Sequence, residues 1–331
     1  MTAPKTLWSP QASRHVQKQQ DKFIDEGYNM REFELLNHIY RSNNQLPDSV
    51  TIAPGDDMAA ITINDSQVLT AVDQLIDQVH VNLKTTSLKK VGRKAVTRNL
   101  SDIAAMAAKP LAALATAALP RDFGQDRCDE LFAAMRDTAS SYDCPLIGGD
   151  MSIWDGPLHL TVTVLAIPDG IEPVRRSGGK VGDVICVTGK LGKSYPTGHH
   201  LDFQPRLKIA RALANYPATR PHCMIDLSDG LARDLGHLCE MSNVSAVIDA
   251  DKLPCRDHAT WQQAVGDGED YELLFAMDHA AIGSPGGWDA LGVAITVIGK
   301  MVACENNTPA AILRLNDGSM IDLKDRGWEH H

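Results

Sequence analysis

The sequence is poor in aromatic residues and has no apolar run long enough to cross a bilayer. Aromatic side chains make up 5% of the 331 residues, so the core must rest on Ala, Leu, Ile, Val and Met. A membrane-spanning helix needs roughly 20 apolar residues in succession. The N-terminal stretch is polar and lacks the apolar centre of a signal peptide. We therefore expect a globular, cytoplasmic protein without a membrane anchor.

The chain also lacks an excess of basic residues. The chain has 32 Lys and Arg residues against 42 Asp and Glu residues, which gives a net charge of −10. Duplex phosphates require a basic face, so nucleic acid is not an expected partner. The seven cysteines are odd in number, widely spaced and without a Cys-x-x-Cys pair, which disfavours a disulfide framework and a zinc knuckle. Reduced thiols of a cytosolic protein are the simplest interpretation.

Helical and strand-like apolar patterns are mixed in both halves of the chain. Apolar residues recur at helical spacing in 94–108 and 126–140, and they alternate with polar residues in 158–164 as in a half-buried strand. The segment 168–173 has two prolines and a glycine and is the best linker candidate. The sequence therefore predicts α/β or α+β structure on both sides of this linker.

Carboxylates beside glycine or at the ends of apolar runs are the most informative feature. They form five groups: Gly55-Asp56-Asp57, Asp73 at the end of the strand-like run 68–72, Gly148-Gly149-Asp150, Asp226-Leu227-Ser228-Asp229-Gly230, and Gly268-Glu269-Asp270. Acids at strand ends project into the crevice where α/β folds bind ligands, and Mg²⁺ prefers carboxylate and phosphate oxygens. One such group alone is usually a turn. Together the groups predict a multi-metal phosphate site.

Two further residues are ambiguous on sequence grounds. Asp102 lies in an apolar helix, where Asp has poor propensity, so it is either a ligand or an acid on an exposed face. His80 is either a ligand or an ordinary core or surface histidine. The run 189–194 is not a Walker loop, because only two residues separate its glycines. The chain also has no serine elbow and no His-Glu-x-x-His helix.

Taken in chain order, these motifs resemble the thiamine-monophosphate kinase family of the aminoimidazole-ribotide synthetase (PurM-like) superfamily. The resemblance runs from about residue 31 to the C-terminus and is carried by REFELL, GDDMAAI, TAVDQLIDQVHV, VGRKAVTRNLSDIAAMAAKP, LIGGDMS, RRSGGKVGDVICVTGKLG, MIDLSDGLARDLGHL, GEDYELLFA and TVIGK. It implies an α/β (α+β) PurM-like fold of two domains. Residues 1–29 would be a polar extension, 30–168 an N-terminal ATP- and Mg-binding domain whose sheet pairs across a homodimer, and 169–331 a C-terminal α/β domain.

The resemblance also implies an activity and a set of site residues. The activity is transfer of the ATP γ-phosphoryl group to thiamine phosphate, the last step of thiamine diphosphate biosynthesis, with several Mg²⁺ ions as cofactors. The implied metal ligands are Asp57, Asp73, Asp102, Asp150, Asp226 and Asp229. The implied ATP contacts are Gly149, Asp150, Arg176 and Ser228, and the implied thiamine phosphate contacts are His80, Glu269 and Trp328. No covalent nucleophile is implied. No strong general base is required either, because a phosphate monoester oxygen is already largely unprotonated at neutral pH.

The chain departs from the family pattern at three places. Ala71-Val72 replace a Ser/Thr pair before Asp73, and Asp267 replaces a glycine. A family helix is shortened to the segment 193–204, which bears on packing at the mouth of the cleft and on substrate identity. Two alternatives stay open: another ATP-using PurM-like enzyme, and a non-catalytic paralogue that binds nucleotide.

Overall fold

The computed structural model describes residues 46–215, 218, 220–281, 292–305, 308–324, 326 and 327. The polar segment 1–29, the first residues of the predicted domain 30–168 up to residue 45, and the predicted substrate contact Trp328 lie outside the described residues. Within the described ranges, no helix is both long and apolar enough to cross a membrane.

Strands from residues 50–167 form a six-stranded sheet. In chain order they are β1 (Val50–Ile52), β2 (Ala59–Ile63), β3 (Ser66–Ile76), β4 (Lys109–Pro120), β5 (Leu146–Trp154) and β6 (His159–Ile167). Their order across the sheet is β1-β2-β3-β6-β4-β5, with β4 and β5 parallel and the other neighbours antiparallel. Buried and half-buried residues alternate along β6, as the sequence pattern predicts for a strand with one covered face.

Two long helices accompany this sheet, α1 (Leu88–Ala105) and α2 (Gln125–Ser141). They pack against each other, and α1 also contacts β3 and β6. A Cβ atom at Gly92 of α1 would lie 2.8 Å from the carbonyl oxygen of Leu131 on α2. Glycine at this position therefore permits the close approach of the two helices.

Strands from residues 184–322 form a second sheet, of seven strands. They are β7 (Val184–Thr188), β8 (Cys223–Asp226), β9 (Ser245–Asp249), β10 (Leu273–Met277), β11 (Ile295–Val302), β12 (Ala311–Arg314) and β13 (Met320–Asp322). Their order is β13-β12-β9-β11-β7-β10-β8, and β9 and β12 are parallel neighbours. The α-helices in the described part of this half are α3 (Ser194–Thr197), α4 (His199–Asp202), α5 (Leu207–Asn215), α6 (Leu231–Ser242) and α7 (Trp261–Gly266). The predicted mixed α/β class is confirmed.

The second sheet is apolar on both faces, because successive side chains of a strand point to opposite sides. Cys186, Met224 and Phe275 join the buried cluster that contains α1 and the first sheet. Ile225 and Leu274 join a second cluster with α6. Helix α1 contacts β3 and β6 of the first sheet and β8 of the second. It therefore carries its polar residues to the place where the two sheets approach each other.

Candidate active site

Three carboxylates from distant parts of the chain meet beside α1. Asp57 lies in the loop between β1 and β2, Asp102 in the last turn of α1, and Asp226 at the end of β8. One oxygen atom from each of the three lies within 4.8 Å of the other two. The structure thus brings together half of the six acids that the sequence suggests as metal ligands, and their role stays a prediction.

The protein keeps this group of acids close together at an electrostatic cost. Burial raises the pKa of Asp102 well above its usual range, and the neighbouring Asp73 and Asp226 carboxylates raise it further. Burial and the charge of Asp57 raise the pKa of Asp226 to about 8. Like charges disfavour each other's ionised form. A compensating positive charge is therefore expected at this point.

One oxygen atom of these three carboxylates accepts no hydrogen bond from the described residues. Oδ2 of Asp226 is buried, and no hydrogen-bond partner lies among the described residues. A buried carboxylate oxygen without a partner is unusual in proteins, whereas a divalent cation with a preference for oxygen ligands satisfies such atoms. Both the donor set and this orphaned oxygen fit a hard cation such as Mg²⁺.

Arg176 supplies a positive charge at the edge of the group. Its Nη2 donates a hydrogen bond to Asp57 Oδ1 at 2.9 Å, and its Nε donates to Asp57 Oδ2 at 3.3 Å. The backbone N–H of Arg176 donates to Asp56 Oδ1 at 2.7 Å, which fixes the loop that carries both acids. A guanidinium beside clustered carboxylates suits a phosphate ligand, because its planar donors match phosphate oxygens.

Asp73 lies close to the group but not where the sequence pattern predicts it. The pattern predicts the end of a strand, whereas β3 continues to Ile76 and Asp73 lies inside it. Arg98 Nε is 3.1 Å from Asp73 Oδ2, and the Asp73 backbone N–H donates to Asn99 Oδ1 at 3.0 Å. These bonds hold Asp73 against α1, near enough to affect the pKa of Asp102.

Gly149 and Asp150 do not form a turn, although a Gly-Gly-Asp group alone usually indicates one. Both residues belong to β5, where they pair with Ala115 and Thr116 of β4. A Cβ atom at Gly149 would lie 1.8 Å from the Ala115 carbonyl oxygen, so the neighbouring strand accounts for this glycine. Asp150 lies exposed on this edge strand. It is not a member of the three-carboxylate group.

The loop after β8 carries Ser228 and Asp229. The carbonyl oxygen of Ser228 accepts a hydrogen bond from the backbone N–H of Glu269 at 2.7 Å. The backbone N–H of Asp229 donates to Asp234 Oδ2 at 3.2 Å. Asp234 is buried, and burial together with Asp229 and Asp226 raises its pKa well above the usual range. Sequence reasoning missed Asp234, because an acid in the first turn of a helix already has a local explanation.

His80 and Glu269, two predicted substrate contacts, are joined by a lysine that sequence reasoning missed. Lys94 Nζ lies 2.6 Å from Glu269 Oε2 and 2.7 Å from the carbonyl oxygen of His80. The Lys94 side chain is 0% exposed. Burial lowers the pKa of Lys94 to about 8, although the Glu269 carboxylate opposes that change. His80 and Glu269, which are both predicted to contact thiamine phosphate, therefore lie next to the same lysine.

Comparison with known proteins finds similarity to AIR synthase-related proteins in the N-terminal half of the chain. Residues 55–167 match the family model for the AIR synthase related protein, N-terminal domain. A solved structure of AaThiL complexed with AMPPCP and TMP superposes with a TM-score of 0.77 and 24% identity, covering 92% of this chain and 100% of that chain. At this identity the likeness shows the fold, which is the PurM-like fold that the motifs imply.

Two relatives define the family more narrowly. A thiamine-monophosphate kinase from Rhodopirellula baltica is 34% identical over 291 residues, which cover 82% of this chain and 89% of the relative. A thiamine-monophosphate kinase from Bacillus subtilis is 29% identical over 336 residues, which cover 91% of this chain and 99% of the relative. The chain belongs to the thiamine-monophosphate kinase family.

Proposed function

We propose that this protein transfers the γ-phosphoryl group of ATP to thiamine phosphate, which yields thiamine diphosphate and ADP. The observation that carries the proposal is the meeting of Asp57, Asp102 and Asp226 beside Arg176, in a chain of this family. In the transfer, a phosphate oxygen of thiamine phosphate bonds to the γ-phosphorus of ATP. The bond from that phosphorus to the bridging oxygen breaks, and ADP leaves.

Mg²⁺ is the proposed cofactor, held by Asp57, Asp102 and Asp226. When bound, it would screen the repulsion between two polyanionic substrates. The predicted ligands Asp73, Asp150 and Asp229 lie outside the three-carboxylate group, and we propose them as ligands of further ions.

The chain's own residues would act by positioning and electrostatics. We propose that the Arg176 guanidinium binds phosphate oxygens of ATP, and that Ser228, Gly149 and Asp150 complete the nucleotide contacts. A general base is not required, because the second pKa of a phosphate monoester is about 6. Holding donor and acceptor in line is then the main contribution of the protein.

Glu269 and His80 are the proposed contacts of thiamine phosphate in the described part of the chain. The carboxylate of Glu269 complements the permanent positive charge of the thiazolium ring. His80 is 8% exposed, and its Nδ1 accepts the backbone N–H of Ile76 at 3.0 Å. That bond leaves Nε2 as the nitrogen that carries a proton in the neutral ring.

A homodimer is the proposed assembly. β5 is an edge strand of the first sheet. It exposes Ile147 by 62%, Met151 by 53%, Ile153 by 63% and Trp154 by 40%. An exposed apolar edge strand is prone to pair with another chain, so a second copy that covers β5 is our proposal.

The domain boundary after residue 168 and the cytoplasmic location also stay proposals. Strands of the first sheet come from 50–167 and strands of the second from 184–322, which supports the boundary. Free thiols at all seven cysteines support a reducing compartment.

Product analysis with two acceptors tests the proposed activity. The protein is incubated with ATP and Mg²⁺ and either thiamine phosphate or unphosphorylated thiamine, and thiamine species and ADP are separated by chromatography. We expect thiamine diphosphate and an equimolar amount of ADP when the acceptor is thiamine phosphate, and no thiamine diphosphate when the acceptor is thiamine. Nucleotide binding without any product would favour the non-catalytic alternative instead.

A further inference from the structure

The segment 193–204, where the chain is shorter than the family pattern, is bound firmly beside the proposed substrate contacts. Ser194 is buried, and its Oγ donates a hydrogen bond to the carbonyl oxygen of Glu269 at 2.6 Å. At the other end, Tyr142 on the segment after α2 donates its hydroxyl to Gln204 Oε1 at 2.8 Å. The shortened segment is therefore tied to both halves of the protein, and it forms part of the wall around Glu269.

Tyr195 places its hydroxyl on the backbone of a predicted substrate contact. The hydroxyl donates a hydrogen bond to the carbonyl oxygen of His80 at 2.9 Å. The ring of Tyr195 is stacked on that of His200, with 4.0 Å between the centroids. This stacking restricts the ring, so the hydroxyl is held in place rather than free to rotate away.

The ammonium group of Lys94 contacts two oxygen atoms and one aromatic ring of the protein. It donates to Glu269 Oε2 and to the same His80 carbonyl oxygen that Tyr195 contacts. The remaining side of the ammonium faces the Tyr195 ring, whose centroid is 5.2 Å away, a cation–π distance. An ammonium has three donors. With two used on oxygen atoms and the third side covered by an aromatic ring, Lys94 acts on a ligand through Glu269 and His80.

We propose that Tyr195 and Lys94 are positioning residues of the thiamine phosphate site, which fix the Glu269 carboxylate and the His80 backbone without contacting the substrate. This inference rests on the proposed function and deepens it. Glu269 has a side chain that is 14% exposed, so it reaches a ligand in few orientations. Its backbone has a left-handed φ of 53°, a conformation that neighbouring contacts must hold in place. The segment 193–204 therefore contributes to substrate recognition through its contacts with Glu269 and His80.

Steady-state kinetics of Tyr195→Phe test the proposal. This change removes one hydroxyl and keeps the ring over Lys94 and against His200. We expect the KM for thiamine phosphate to rise about three- to tenfold, the effect of one lost hydrogen bond. We expect the KM for ATP to change by less than about twofold, because the lost hydroxyl bonds to His80 and not to Arg176 or to the three carboxylates. A second variant, Lys94→Gln, should raise the same KM further.

Tyr142→Phe is the matched control. It removes a hydroxyl that contacts the same segment at Gln204, away from His80, so it should leave both KM values unchanged. Equal effects of the two Tyr→Phe variants, or equal changes in the two KM values for Tyr195→Phe, would show that the segment only stabilises the fold and would overturn the proposal. If Lys94→Gln fails to fold, Tyr195→Phe still decides. A wild-type protein that forms no thiamine diphosphate would instead overturn the proposed function, and this inference with it.

Discussion

Arg176 binds both carboxylate oxygens of Asp57, at 2.9 Å and 3.3 Å. The Asp57 side chain is 0% exposed. One of its carboxylate oxygen atoms lies within 4.8 Å of an oxygen atom of Asp102 and of Asp226. The guanidinium therefore offsets part of the repulsion within the group. It also leaves a cation where phosphate oxygens are expected.

Arg176→Gln should affect both stability and nucleotide binding. Removing one partner of a buried pair typically costs about 3–5 kcal/mol, so we expect a lower Tm in the absence of metal. Added Mg²⁺ should restore more of the Tm in the variant than in the wild type, and the KM for ATP should rise at least about tenfold. Scanning fluorimetry with and without Mg²⁺, together with kinetics, measures these effects.

The control for this variant is Arg121→Gln. Arg121 pairs with Asp155, and the two side chains are 68% and 79% exposed. Exposed pairs contribute about 0–1 kcal/mol, so this change should leave the KM for ATP unaltered. If both variants behave alike, Arg176 has no special relation to the nucleotide.

Gly149→Ala separates two explanations of the Gly-Gly-Asp motif. The added Cβ would lie 1.8 Å from the Ala115 carbonyl oxygen, whereas a Cβ at Gly148 would lie 3.3 Å from a Leu114 methyl carbon. We expect Gly149→Ala to destabilise the fold by roughly 1–3 kcal/mol and Gly148→Ala to cost much less. Urea unfolding of the two variants measures the difference. A rise in the KM for ATP at unchanged stability would contradict this packing role of Gly149 and would leave the proposed nucleotide contact as its explanation.

Helices and strands in which apolar residues recur at a regular spacing could be predicted from the sequence. The strand at 158–164 and the helices at 94–108 and 126–140 correspond to β6, α1 and α2. Asp226 could be placed at a strand end for the same reason, because polar residues follow an apolar run there.

Features that depend on a distant partner could not be predicted. A lysine on a helix usually lies on a solvated face. Glu269, whose carboxylate pairs with the buried Lys94, is 175 positions away along the chain, so the sequence around Lys94 does not show this pair. Likewise, two glycines before Asp150 suggest a turn. Their place in β5 follows from the close parallel approach of β4, which a single segment does not reveal.

His237 should make stability depend on pH. Burial, followed by the charges of Arg176 and Arg233, lowers its pKa from 6.5 to about 4. A lowered folded-state pKa means that the unfolded chain binds the proton first as the pH falls. His237 therefore contributes stability above pH 6.5 that is lost as the pH falls from 6.5 towards about 4, by at most about 3 kcal/mol.

Chemical denaturation of the wild type and of His237→Gln at pH 7.5, 6 and 5 (values chosen to span about this window) measures the effect. The stability difference between the two proteins should shrink as the pH falls. The exposed Gln262 offers a control without a titratable side chain, since Gln262→Ala should follow the wild-type pH dependence. A wild-type curve parallel to that of His237→Gln would contradict the assignment.

Ile153→Lys should disrupt the proposed dimer. Ile153 is 63% exposed on the edge strand β5, and a lysine there opposes pairing with a second strand. Light scattering should report a dimer for the wild type and a monomer for the variant at equal concentration. Val181→Lys is the control, because Val181 is 61% exposed but lies outside β5. A monomeric wild type would rule out the dimer.

The most direct test of the central claim is ³¹P NMR of ATP and thiamine phosphate with the wild type and with Asp226→Asn, as Mg²⁺ is added. Our account predicts that the wild type forms thiamine diphosphate and ADP in equal amounts only when Mg²⁺ is present. It predicts that Asp226→Asn, still folded, is slower by at least about a hundredfold. Thiamine diphosphate formation by the wild type in excess chelator, or near-normal turnover by Asp226→Asn, would contradict the account.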